Sequence, residues 1–239
     1  MNKTIIRAAG IAASLAAAVA AEAGTSTIDL ANDYMTSGFF QSNFVRGDDA
    51  GSSRAVNRAT SPSIFGVQGE TTYFDFDFNP SNFAGPVAEA VFRVEVVANG
   101  FFGDPSAGNP ADISIHSLTA DPLASIDDNV QQSFIDFRES QITTSSIVST
   151  TTVDGLGVFE WDITSLVNEW IANGDANFTY SIGTGALLDP DAGTAIGFVN
   201  SSWAGLTDEV VGQIVIVPTP GGAAIGLTAI GITASRRRR

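Results

Sequence analysis

Apolar and polar residues alternate with a period of two over most of the chain between Gly24 and Val217. In TYFDFDF, Tyr73, Asp75 and Asp77 alternate with Phe74, Phe76 and Phe78, so one face of the segment is greasy and the other acidic. A β-strand sends successive side chains to opposite faces, and this pattern belongs to a strand with one face in a core. AVFRVEVV obeys the same rule, setting Val91, Arg93 and Glu95 against Phe92, Val94 and Val96. DISIHSL, SIVSTTTV, GVFEWDI, FTYSIGT, TAIGFVN and GQIVIV continue it, divided by Gly, Asn, Pro and Asp clusters that supply turn geometry. Many short strands with little helix predict an all-β, antiparallel sandwich.

One segment has a different period. In ITSLVNEWIANG, Ile163, Leu166, Val167, Trp170 and Ile171 recur at the spacing of one helical face. The expectation is one short surface helix, capped by Thr164, ended at Asn173-Gly174 and anchored on the sandwich by Trp170. Trp161 is expected in the core. The polar region from Gly24 to Ser63 shows strand character only at TIDLANDYM and GFFQSNFV, which predicts one or two edge strands with long loops.

The two ends read as addresses. Lys3 and Arg7 precede an apolar run from Ala8 to Ala20, and Ala21-Glu22-Ala23 fits the small-x-small pattern read by signal peptidase. Residues 1–23 are therefore expected to be a cleaved signal peptide, the run being shorter than the roughly 20 apolar residues of a spanning helix. At the other end stand Val217-Pro218-Thr219-Pro220, the small apolar stretch Gly221 to Ala234, and Arg236, Arg237, Arg238 and Arg239. Proline cannot donate into a ladder, so the motif is expected to stop the last strand. An apolar helix at about 221–235 would enter a bilayer, with the arginines held on the cytoplasmic side.

Charge narrows the partners. The chain carries a formal net charge of −15, and the span from Gly24 to Ser235 sets five arginines against 25 carboxylates, with no lysine. Such a surface repels phosphate backbones, which argues against nucleic acid as a partner. The chain has no cysteine, so disulfides and thiol chemistry are excluded.

Candidate chemistry is sparse. His116 is the only histidine and no G-x-S-x-G, H-E-x-x-H, phosphate-loop or dinucleotide motif is present, so His116 is read as structural and the protein as no enzyme. The many carboxylates leave a glycosidase pair open. Asp189 and Asp191, with Gly193, match the start of a calcium loop without its remaining ligands. Asp127-Asp128-Asn129 is a similar short cluster. Both clusters read first as solvated turns, so no cofactor is expected, a structural calcium ion at Asp189 and Asp191 being the alternative. The candidate aromatic platform for a sugar is Trp203, Phe39, Phe40, Phe101 and Phe102, with core burial at a bend the competing reading for each of them.

Two resemblances give these readings a direction. Phe76-Asp77, the strand opening Ala90 to Arg93, and Asp162-Ile163-Thr164-Ser165-Leu166-Val167-Asn168-Glu169-Trp170 resemble the DNRLRE-type domain of bacterial surface and secreted proteins, a relative of a carbohydrate-binding module family. That resemblance covers roughly Ser63 to Val217 and implies a jelly-roll-type β-sandwich in the domain 24–217. The tail, 218–239 with its preceding Val217, resembles a PEP-CTERM sorting signal in which Val-Pro-Thr-Pro stands for Pro-Glu-Pro. It implies a membrane exosortase as partner, and transient inner-membrane association through the C-terminal helix. Together they imply an exported protein of a bacterial cell envelope, outer surface or extracellular matrix, with a non-catalytic module for extracellular polysaccharide. A structural or adhesive protein contacting other proteins is the alternative, and an envelope glycosidase the third.

Overall fold

The structure, a computed structural model, describes residues 25–37, 43–46, 55–58, 71–98, 104–127, 130–174, 179–185, 195–198 and 210–219. Among these the chain forms β1 (Ser26–Ser37), β2 (Asn43–Arg46), β3 (Ala55–Arg58), β4 (Thr71–Phe76), β5 (Val87–Val97), β6 (Ala111–Ser117), β7 (Ile147–Val153), β8 (Gly157–Asp162), β9 (Ser181–Gly185), β10 (Ala195–Phe198) and β11 (Gln213–Pro218). Three α-helices interrupt them, α1 (Pro122–Ser125), α2 (Gln131–Gln141) and α3 (Thr164–Asn173), with short 3-10 turns at Pro80–Asn82 and Thr144–Ser146. The protein is all-β with antiparallel pairing, as the alternation predicts.

Two sheets share one strand. In the first, β5 is central, with β8 on one side and β11 followed by β10 on the other. β3 lies outside β10, and Ser26–Asp29 of β1 lie outside β11. In the second, the order is β2, β1, β4, β9, β6, β7. The register of β1 shifts between Leu30 and Asn32, where the strand passes from one sheet to the other. A bulge bends a strand and strengthens its twist, which lets one chain segment serve both sheets. This corrects the expectation of an edge strand: β1 is an interior member of the network. Its polar look arises because Asp29 and Asn32 are exposed where it turns.

The inner faces meet in one apolar core. Phe74 and Phe76 of β4 face Phe92 of β5, with ring centroids 5.0 and 6.0 Å apart. Trp161 of β8 reaches across the core, and its indole Nε1–H donates to the Ile113 carbonyl of β6 at 2.8 Å. β8 belongs to one sheet and β6 to the other, so this bond ties the two together.

The helical content differs from the one helix expected. α3 forms where the spacing places it, with Leu166, Val167 and Trp170 buried. Thr164 is its first residue rather than its cap: the N-cap position is Ile163, which offers no side-chain cap, and the Asp162 carboxylate just before it accepts from the Thr164 N–H at 2.9 Å and from the Thr164 hydroxyl at 2.6 Å. Those bonds hold the Asp162 carboxyl below its usual range. The Thr164 hydroxyl in turn accepts from the Ala90 N–H at 3.0 Å, fixing the helix start to β5. Gly174 ends the helix at φ +53°, a conformation that suits glycine.

α2 is the element the periodicity does not announce. It lies in the connection from β6 to β7, which crosses the outer face of the second sheet. Phe134, Phe137, Ile126 and Ile142 bury Tyr73 there, and the Tyr73 and Phe137 rings meet edge-on at 5.5 Å. The outward face of β4 is therefore a second core at Tyr73. Glycines make the seat: a Cβ on Gly183 would stand 2.7 Å from Ile142 Cδ1, and one on Gly185 2.7 Å from Ile142 Cγ2.

The two contacts predict a discriminating pair of variants. Gly183→Ala and Gly185→Ala should each cost about 1–3 kcal/mol through overpacking. Ile142→Val removes Cδ1 and keeps Cγ2. It should therefore rescue Gly183→Ala in a double-mutant cycle read by urea denaturation, and leave Gly185→Ala unrescued. Equal rescue of both would mean that Ile142 does not seat as described.

Candidate functional site

The register fixes two ends of the sandwich. At one end stand Ser37, Thr71, Val97, Ala111, Val153, Gly157 and Gly185, and β10 leaves β5 there. At the other stand Ser26, Phe76, Val87, Ser117, Ile147, Ser181 and Pro218. The β7–β8 turn at Asp154–Leu156 joins the two sheets at the first end, and the shared strand β1 runs from the second end to the first.

Trp203, Phe39, Phe40, Phe101, Phe102, Asp189 and Asp191 lie outside the described residues, as do Pro220, the apolar stretch and Arg236 to Arg239. The described residues that flank the first group are nevertheless informative. Ser37, Ala98 and Gly185 precede the segments with Phe39-Phe40, Phe101-Phe102 and Asp189-Asp191, and all three are at the first end. The Trp203 segment runs between Phe198, opposite Val96, and Val210, whose carbonyl accepts from the Glu95 N–H at 2.9 Å. It too is attached toward that end.

Val217, Pro218 and Thr219 are at the second end. The motif does not stop the strand before it begins: β11 continues through Pro218, which partners Val87 after a register shift. The Thr219 hydroxyl donates to the Pro86 carbonyl at 2.6 Å. Proline is tolerated because at this point β1 no longer accompanies β11, whose pairing with it ends at Ser26 and Ile216. Asn168 of α3 fixes the same corner, its Oδ1 accepting from the Val87 N–H at 2.7 Å and its Nδ2 donating to the Val87 carbonyl at 3.2 Å. Asn168→Ala should cost about 2 kcal/mol, two backbone groups losing their partners at once, and a shift of the urea midpoint below that of a wild-type chain would register it. An unchanged midpoint would sink the assignment.

His116 lies beneath the helical connection, fully buried. Its Nδ1 is 2.9 Å from Ser146 Oγ. Ser146 has one proton and its shortest acceptor is the Gln141 carbonyl at 2.6 Å, so His116 is the donor through Nδ1 and Nε2 carries the lone pair. That polarity is opposite to a base activating a serine nucleophile. The Nε2 atom is buried without a hydrogen-bond partner, and the structural role read from the sequence is thus half satisfied. Burial lowers its pKa to about 4, the Arg138 charge adds to the effect, and a hydrogen bond with the Thr143 backbone opposes it. Arg138 is itself pushed down by burial, and its Nε donates to Thr71 Oγ1 at 3.1 Å.

Elsewhere Arg93 and Glu160 lie 3.0 Å apart on the open face of the first sheet. Among the described residues no three His, Asp or Glu side chains gather as a metal site, and no helix is long and apolar enough to cross a membrane. Sequence reasoning did not single out Asn168 or the Thr219–Pro86 bond. An asparagine on the polar side of a helical stripe carries no signal of the strand it will serve. No protein-family model matches the chain, and no curated protein matches it.

Proposed function

We propose that this is an exported, tail-sorted protein of a bacterial cell envelope or extracellular matrix whose sandwich is a non-catalytic module for extracellular polysaccharide. The observation that carries the reading is the opposition of the two ends. The chain leaves the body at Thr219 at one end, while the strands flanking Phe39, Phe40, Phe101, Phe102, Asp189, Asp191 and Trp203 come to the other. A body held by its tail would turn the end from which those segments leave away from the membrane. The arrangement is read as a jelly-roll variant in which β1 is the strand that changes sheet, in keeping with the resemblance to DNRLRE-type domains. Signal peptidase and an exosortase are the processing partners in this reading. The excess of carboxylates favours neutral or metal-bridged glycan over phosphate-rich ligands.

Binding of the full chain, in detergent micelles, to purified extracellular polysaccharide tests it, with calcium and with chelator. Saturable binding weakened about tenfold or more by Trp203→Ala or Phe102→Ala, as expected when a stacking platform worth about 1.4 kcal/mol is lost, supports the reading. Loss in chelator would add a bound ion to the reading. No saturable binding in either condition sinks the glycan module and leaves contact with other proteins as the role.

A further inference from the structure

We infer that the folded body shields the front half of the C-terminal proline motif, so that processing cuts after Thr219 and never before it. The inference rests on the sorting reading above for its biological setting, while the shielding itself stands on contacts in the body. A protease takes its substrate as an extended strand, using the same backbone groups that a sheet occupies. Ile216 sits between Ser26 of β1 and Ala90 of β5 and is fully buried. Val217 pairs with Glu89 and, after a register shift, Pro218 with Val87, both half-buried. Beyond them the chain is exposed at Thr219, held by its hydroxyl on the Pro86 carbonyl.

The corner that receives this strand end cannot give way easily. Val87 is held on both backbone groups by Asn168, and Ala90 by Thr164, so the start of β5 is fixed to α3. Reaching the Val217–Pro218 or Pro218–Thr219 bond therefore requires the end of β11 to peel away from a rigid neighbour. Local opening of this kind is the step that limits proteolysis of a folded protein. The bond that is cut lies beyond Thr219. There the hydroxyl of a water adds to the carbonyl carbon, the peptide C–N bond breaks, and the departing nitrogen takes the remaining proton as an amine. The mature body keeps Pro218 and Thr219 as part of its last strand, and tail removal leaves the sheet intact.

The test digests the full chain, in detergent micelles, with proteinase K followed by carboxypeptidase Y, and reads the shortened C-terminus by intact mass. Digestion is expected to stall with Thr219 as the last residue or one farther along. Thr219→Val keeps the shape and removes the hydroxyl, and should speed trimming past position 219 about tenfold, the loss of one hydrogen bond. Its urea midpoint should stay near that of the wild type, since Thr219 is exposed. Trimming of the wild type through Pro218 into β11 without a pause, or an unchanged stall in Thr219→Val, overturns the shield. Mass analysis of the protein from producing cells separates the two readings. A mature C-terminus beyond Thr219 with the arginines gone supports both, and one before Thr219 overturns the shield. An intact tail sinks the sorting reading, and the stall in the purified chain then decides the shield by itself.

Discussion

Trp161→Ala is expected to remove about 4 kcal/mol of stability, enough to leave a marginally stable domain largely unfolded at ambient temperature. Three contributions converge on this side chain. It is 1% exposed, so truncation empties a large space in the middle of the core. Its ring packs against Phe92 at 5.8 Å and Phe198 at 6.4 Å, contacts that no neighbour can replace without moving a strand. Its indole N–H is also the donor to the Ile113 carbonyl, and a buried acceptor left alone costs about 1–3 kcal/mol. Trp161→Phe separates the parts, since it keeps a ring in the core and abandons the carbonyl. It should cost about half as much. Guanidinium denaturation followed by far-ultraviolet circular dichroism measures both, and a Phe variant as stable as wild type would show that the bond across the sheets contributes nothing.

The sequence makes Trp161 legible as core because GVFEWDI alternates and Trp161 falls on the apolar face with Phe159. The bond it makes is not legible, because nothing in the local pattern says which strand lies opposite. The same division runs through the whole fold. The period of two located β4 to β11, since each of these strands has at least one face against the inner core. β3 lies in a polar stretch with no such alternation and escaped. β1 was located, but its rank was not: a strand that turns between two sheets exposes polar residues at the turn and so resembles an edge.

α2 shows the limit of periodicity most clearly. Of its apolar residues only Phe134 and Phe137 are buried, while Ile135 is exposed, so no continuous helical stripe forms. What holds it is an aromatic ring on a distant strand and a pair of glycines on another. Tyr73 was read on an acidic face because Asp75 and Asp77 share it, and Gly183 and Gly185 add nothing to the alternation of FTYSIGT. Their meaning appears only when Ile142 is laid over them. The candidate glycan residues, with Asp189 and Asp191, fall in polar, turn-rich segments where neither period applies, and only the points of attachment of those segments are described.

The buried imidazole gives the last prediction, an acid loss of stability of about 3 kcal/mol assigned to one residue. The pKa of His116 is lowered from 6.5 to about 4, and each pKa unit corresponds to about 1.4 kcal/mol. Between these values the unfolded chain binds a proton that the folded chain refuses. Stability therefore rises with pH through this window, is complete above about pH 6.5 and is lost as pH falls toward 4. Asp162, whose carboxyl is held below its ordinary value of 3.8, acts with the same sign but only at lower pH. Acidification also relieves the repulsion among carboxylates in a chain of net charge −15, which works in the opposite direction. The measurement is consequently a difference of differences. Urea midpoints of wild type and His116→Gln are compared at pH 7 and pH 4.5, the variant having no proton to take up at that position. The wild type should lose more than the variant between the two conditions, and the excess is the histidine's share. Protonation there would place a second cation beneath the helical connection beside Arg138, with only Ser146 and the Thr143 backbone to receive it. The α2 segment should therefore be the first part to open, seen as faster amide exchange over Phe134 to Ile142 at pH 4.5 than at pH 7 once the intrinsic pH dependence is removed. Equal pH losses in the two chains would show that His116 is not the group that titrates.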